Sequence, residues 1–155
     1  MATYVILHNI RSAHNVGSIF RTADGAGVSK IFITGYTPAP TDRFGRENAE
    51  ITKTSLGATH TVPHEVTDDI MVVIKSLKET GVQIVAVEQT ERAVEYTKMG
   101  QTGDVAFIFG NEITGVEEEI LGVSDTHIQI PMSGAKESLN VSVCAGIVLF
   151  HFRDQ

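Results

Sequence analysis

The stretch IQIPMSGAKESLNVSVCAGIVLF, residues 128–150, joins a short apolar strand, a polar loop and a helix. Ile128 and Ile130 end the strand, Pro131 removes a backbone donor and stops its ladder, and Gly134 permits a turn that bulkier residues resist. A ligand could meet bare backbone there. From Ser138 onward Leu139, Val143, Gly146, Ile147 and Phe150 recur at three- and four-residue spacing. That spacing predicts a helix that lays this face on the core, with Ser138 as its N-cap and Asn140 and Ser142 in its first turn. These polar residues either cap the helix end or belong to a site.

Working outward, two more polar turns follow apolar strands. Gly110-Asn111-Glu112 comes after Val105–Phe109, and Asn15-Val16-Gly17-Ser18-Ile19-Phe20-Arg21 comes after Tyr4–Leu7. Val16, Ile19, Phe20, Ala23 and Ala26 mark the buried face of a helix starting near Asn15, so Arg21 projects off that stripe toward the strand ends or a partner. Further strands are read at Ile31–Ile33, His60–Pro63 and Val82–Val87, and helices at 47–56, from Thr67 or Asp68 to Thr80, and at 117–121. Residues 88–103 read as irregular. The polar segment Tyr36 to Asn48 is too long for a simple connector and reads as functional or mobile. Strands separated by helices imply an α/β domain, a mostly parallel sheet with helices on both faces. Its ligand crevice lies beyond the carboxyl ends of the strands, where all three polar turns fall.

Composition narrows the classes. The 155 residues suit one domain, and 42% hydrophobic with 20% charged content is that of a soluble globular chain. No apolar run reaches membrane-spanning length and no signal-peptide pattern opens the chain, so a cytoplasmic protein without membrane contact is expected. One cysteine, Cys144, excludes an internal disulfide and a cysteine-rich zinc site, and Pro63 between His60 and His64 argues against a helical histidine pair, so no metal is expected. A formal net charge of -7 argues against wide nonspecific contact with nucleic acid. It leaves room for a local patch: Arg11, Arg21, Lys30, Arg43, Arg46 and Lys53 all lie in the first third, either as such a patch or as scattered solvated charges. Arg43 and Arg46 are candidate phosphate contacts. Ser133 to Lys136 matches an S-x-x-K pattern, but it sits in a loop without companion motifs, and no Walker-type loop, dinucleotide fingerprint or G-x-S-x-G elbow is present.

Taken together, the three segments resemble the signature motifs of the SpoU (TrmH-like) family of SPOUT RNA 2'-O-ribose methyltransferases. Asn15-Val16-Gly17 with Arg21 is similar to the N-x-G-x-x-x-R first motif, Phe109-Gly110-Asn111-Glu112 with Gly115 to the second, and Ile130-Pro131-Met132 through Ser138-Leu139-Asn140-Val141-Ser142 to the third. Ile113, Thr114 and Val116 depart from the usual continuation of the second motif, and Cys144 stands where a small alanine is usual. These departures bear on substrate choice more than on chemistry.

The resemblance implies a single methyltransferase domain over residues 1–155 with no added RNA-binding domain. It implies a C-terminal deep trefoil knot and a homodimer with sites at the interface. S-adenosylmethionine would be held around Val87, Gly110, Ile130, Met132, Ser138 and Leu139, with no metal. Methyl transfer to a ribose 2'-hydroxyl of tRNA or rRNA would use Arg21, Asn15, Glu112, Ser138 and Asn140, with Arg11, Arg43 and Arg46 toward the RNA. Arg21 serves either as base assisted by a phosphate or as a fixed cation, since a guanidinium is almost never deprotonated in proteins. Glu112 would orient Arg21 or the substrate, and Asn15 would fix the loop of Arg21. The rival from another class is a non-catalytic RNA- or S-adenosylmethionine-binding module of the same fold.

Overall fold

The computed structural model describes residues 1–155. Alternation along the first strand decides its architecture. β1 (Thr3–His8) sends Val5 and Leu7 into one apolar cluster and Ile6 into another, all three fully buried. A strand apolar on both faces needs cover on both.

Along the chain β1 leads to α1 (Ala13–Ala26), β2 (Lys30–Thr34), α2 (Ala49–Ser55), α3 (Ala58–Thr61), β3 (His64–Thr67), α4 (Ile70–Glu79) and β4 (Gln83–Val87). There follow β5 (Val94–Glu95), a single 3-10 turn at Tyr96–Lys98, β6 (Val105–Phe109), α5 (Glu118–Val123), β7 (Thr126–Gln129) and α6 (Val141–Phe152). The seven strands form one sheet in the order β3-β2-β1-β6-β4-β7-β5, and every pairing is parallel. The larger cluster packs α1 and α6 on one face through Phe20, Phe107, Leu149 and Phe152. The smaller one packs α4 and α5 on the other through Ile74, Leu77, Ile84 and Ile120. No helix is long and apolar enough to cross a membrane.

Several local expectations are corrected. His60–Pro63 is not a strand: Gly57, at φ 86°, turns the chain into α3, and the strand begins only at His64. β-branched residues at 59, 61 and 62 imitate a strand, yet Val62 is a buried core residue at the end of a helical turn. α1 opens two residues before Asn15, with the Ser12 side chain accepting the Asn15 N–H at 3.1 Å. Residues 88–103 are not wholly irregular, since β5 pairs with β7.

The largest correction concerns α6. Its N-cap is Asn140, whose Oδ1 accepts the Ser142 N–H at 2.9 Å, and not Ser138. The face turned to the core is Ala145, Val148, Leu149 and Phe152, while Val143 and Phe150 are 50% and 43% exposed. The helix is apolar around its whole circumference, so spacing alone could not select which side is buried.

α1 packs on α2 and α6, and a glycine sets the first of those distances. A Cβ on Gly17 would overlap Thr54 Oγ1 and come within 2.9 Å of the Ile51 carbonyl oxygen, whereas one on Gly146 would meet only Thr22 Cγ2 at 3.8 Å. Gly17→Ala is therefore expected to lower unfolding stability by about 1–3 kcal/mol through overpacking. Gly146→Ala, which removes a helix-interior glycine at ordinary contact distance, should be neutral or stabilising. Urea unfolding of the two variants checks this, and equal effects would contradict the packing account.

Candidate active site

Because every strand runs the same way, the segments after β1, β4, β6 and β7 meet at one edge. Those after β4, β6 and β7 line a cleft of about 1340 Å³, and the segment after β1 is bonded to its wall through Glu112. Its lining includes Val87, Gly110, Glu112, Ile130, Met132, Ser138, Leu139 and Asn140, so all six residues expected around the cofactor share one wall system. Asn15, buried on α1, joins them through its Oδ1, which accepts from Asn140 Nδ2 at 3.3 Å. Asn140 thus links the helix it caps to the first motif.

The loop after β6 is held by its own chemistry. A Cβ on Gly110 would lie 2.7 Å from the Gly115 carbonyl group, so only glycine fits where the loop doubles back. Asn111 Oδ1 accepts the N–H groups of Ile113 at 2.8 Å and Thr114 at 2.9 Å. Its Nδ2 donates to Asn9 O at 3.0 Å and to the Tyr36 hydroxyl at 2.8 Å. Asn9 takes a left-handed φ of 55°, which asparagine tolerates, and its Oδ1 accepts the Tyr36 N–H at 3.1 Å. One amide side chain therefore ties β1, β6 and the segment after β2 together.

Glu112 does not touch Arg21. Its carboxylate accepts the Arg11 N–H at 3.1 Å to both oxygens and the Ser12 N–H at 3.3 Å, fixing the entry to α1. Arg21 is exposed on α1, outside the cleft lining of its own chain and without an ion-pair partner. Arg11 and Arg43 are exposed as well, and Arg46 pairs with Asp42 at 2.8 Å. Ser138 is an exposed residue of the cleft wall.

Three cleft residues escaped sequence reading. Glu88 follows β4, and its two carboxylate oxygens accept the N–H groups of Val116 and Gln89, each at 2.9 Å. Gln89 Nε2 donates to Glu137 O at 2.6 Å, spanning from the end of β4 to the loop before α6. Buried His127 sits 2.9 Å from both Leu121 O and Thr90 Oγ1. A polar residue directly after a buried strand was the available signal for Glu88 and Gln89.

The cleft is electronegative. Glu88, Glu91, Glu112, Glu118 and Glu137 line it, with Arg92 the one arginine or lysine among the lining residues. Beside it, burial lowers the His8 pKa, a shift that nearby Glu117 partly opposes. No three histidine, cysteine, aspartate or glutamate side chains group to hold a metal ion.

Residues 2–150 match the model of the SpoU rRNA Methylase family. The chain is 34% identical over 151 residues to a 23S rRNA (guanosine-2'-O-)-methyltransferase of Neisseria meningitidis, covering 97% of this chain and 58% of that protein. It is 35% identical to a tRNA (guanosine(18)-2'-O)-methyltransferase of Thermus thermophilus, with 97% and 74% covered. An AdoMet-bound rRNA methyltransferase from Sinorhizobium meliloti superposes with a TM-score of 0.89 at 30% identity, covering 99% of this chain and 56% of that one. The chain therefore spans between about half and three quarters of the length of these proteins.

The cleft also holds Cys144, whose thiol burial and the charge of Glu88 push up to about 11. At pH 8.5 an ordinary thiol is about half ionised, so iodoacetamide should label the folded protein about 100-fold more slowly than the unfolded chain. Equal labelling rates in the two states would contradict the half-buried, electronegative setting.

Proposed function

As the chain belongs to the SpoU rRNA methylase family, we propose that it is an S-adenosylmethionine-dependent methyltransferase acting on a ribose 2'-hydroxyl of tRNA or rRNA. The observation that carries this is the convergence of the second and third motif segments on one electronegative cleft, to which Asn15 of the first is bonded through Asn140. The names of the relatives and the AdoMet-bound neighbour support it. A cytoplasmic location accords with such substrates.

The residues present fit the cofactor. Val87, Ile130, Leu139 and Val141 offer apolar wall to an adenine face. After Pro131 the backbone N–H groups of residues 132–139 have no partner within the chain, which leaves donors for the polar edge of a nucleoside. Five carboxylates around the cleft favour a cationic ligand over an anionic one. When bound, S-adenosylmethionine supplies an electrophilic methyl group on a sulfonium.

The ribose hydroxyl is a weak nucleophile that must lose its proton as it attacks. Arg21 acts either as the base that takes this proton with the help of a phosphate, or as a fixed cation that places a phosphate and stabilises the developing oxyanion while the proton leaves to water. Because a guanidinium holds its proton, the chemistry favours the second. Glu112 holds the backbone of Arg11 and Ser12 and so sets where α1 begins and where Arg21 points. Asn140 and Asn15 lock α6 to α1, and Ser138, in the cleft wall, would orient the ribose.

Arg21 lies outside the cleft of its own chain, which accords with a homodimer whose sites form at the interface. The exposed apolar side of α6, with Val143 and Phe150, is a surface such a dimer would cover. The strand order, with β7 between β4 and β5, is compatible with the deep trefoil knot that belongs to this reading.

Labelled methyl transfer to size-fractionated total RNA tests the reading. Wild-type protein should label tRNA or rRNA, and Arg21→Ala should lose transfer by a hundredfold or more, on the order of an electrostatic transition-state contact, while its affinity for S-adenosylmethionine stays close to wild type. Equal loss of transfer and affinity would remove Arg21 from its assigned role. Cofactor binding without labelling of any RNA would favour the non-catalytic module.

A further inference from the structure

The segment between β2 and α2 carries a feature that methyl transfer itself does not use. Pro40 O accepts the Asn48 N–H at 2.8 Å, and Thr41 pairs with Glu47 in an antiparallel bridge. Within that closure Asp42 Oδ1 accepts the N–H groups of Phe44 at 2.8 Å and Arg46 at 3.0 Å, and Gly45 turns the tip with a φ of 79°. Residues 42–46 are thus a tight hydrogen-bonded tip, not a slack connector.

At that tip the Phe44 ring is 67% exposed. The guanidinium carbons of Arg43 and Arg46 lie 4.8 and 5.0 Å from its centroid. A lone exposed aromatic is ordinary. The exposed surface of this ring can stack on a nucleobase, and Arg43, which has no carboxylate partner, can meet an adjoining phosphate while Arg46 is held in place by Asp42. The root of the segment is bonded to the active edge: the Tyr36 hydroxyl accepts from cleft residue Asn111, and Thr37 Oγ1 accepts the Ile10 N–H at 3.0 Å. The other end, α2, is tied to α1 by Thr54 Oγ1 donating to His14 O at 3.2 Å. The tip is therefore fixed relative to the cleft. Since the cleft is lined by carboxylates that repel phosphate, RNA needs its cationic and stacking contacts outside it.

We propose that Phe44, flanked by Arg43 and Arg46, is a stacking platform for an unpaired base of the RNA substrate. Its target is then a single-stranded or loop segment, because a continuous A-form duplex keeps its base faces stacked inside. The inference rests on the RNA-methyltransferase reading and deepens it.

The chain contains no tryptophan, so Phe44→Trp gives a single fluorophore at the tip. Its emission should be quenched to saturation by a short oligoadenylate and much less by a blunt RNA duplex of equal length. Phe44→Leu, which keeps an apolar side chain without the ring, should weaken oligoadenylate binding roughly 5- to 100-fold. Phe44→Tyr should restore it, and both should bind S-adenosylmethionine as wild type does. Unquenched emission, or Phe44→Leu binding like wild type, overturns the platform while RNA methylation by the wild type preserves the transferase. A wild type that neither binds nor methylates RNA overturns both.

Discussion

A sheet whose pairings are all parallel delivers the carboxyl ends of its strands to one edge, and the cleft exists because β4, β6 and β7 end there as neighbours. Segments 100 residues apart in sequence become bonded partners for that reason, as when Glu112 accepts the N–H groups of Arg11 and Ser12. The arrangement also explains why the site is made of loops and helix starts. Strand interiors such as Val105–Phe109 are wholly buried and offer no reactive group, whereas the turns that follow them carry asparagine, glutamate and glycine.

Electrostatics divide the labour around that edge. The cleft is lined by five glutamates and suits a cationic ligand, while Arg11, Arg21, Arg43 and Arg46 stand outside it. A chain with net charge -7 does not attract RNA over its whole surface, so on the proposed function the rim would do so locally. The same division gives the proposed homodimer its meaning: an arginine that its own chain keeps away from the cleft would serve a neighbouring one across the apolar side of α6.

Much of this was legible in the residues. The buried runs of β1, β4 and β6 and the polar turns after them gave the α/β class and the active edge, and Val87, Gly110, Ile130, Met132, Ser138 and Leu139 converge on a single cleft. What stayed hidden depends on three-dimensional choices that local pattern does not encode. α6 is apolar on every side, so nothing in its spacing distinguished the Ala145 and Val148 face from the Val143 and Phe150 face. The sequence has Glu112 orienting Arg21 or the substrate; in the fold its carboxylate accepts two N–H groups preceding α1, which spacing alone does not reveal. The α3 turn was mistaken for a strand because Thr59, Thr61 and Val62 are β-branched, and one left-handed glycine, Gly57, outweighed them.

Hydrogen exchange read by mass spectrometry, with and without S-adenosylmethionine, tests the central claim most directly. The account predicts that the cofactor slows exchange in two separated stretches, residues 109–116 and 130–141, with the end of β4 near Val87, and leaves α4 unchanged. Protection confined to one of these stretches, or located elsewhere, would contradict a site assembled from the carboxyl ends of parallel strands.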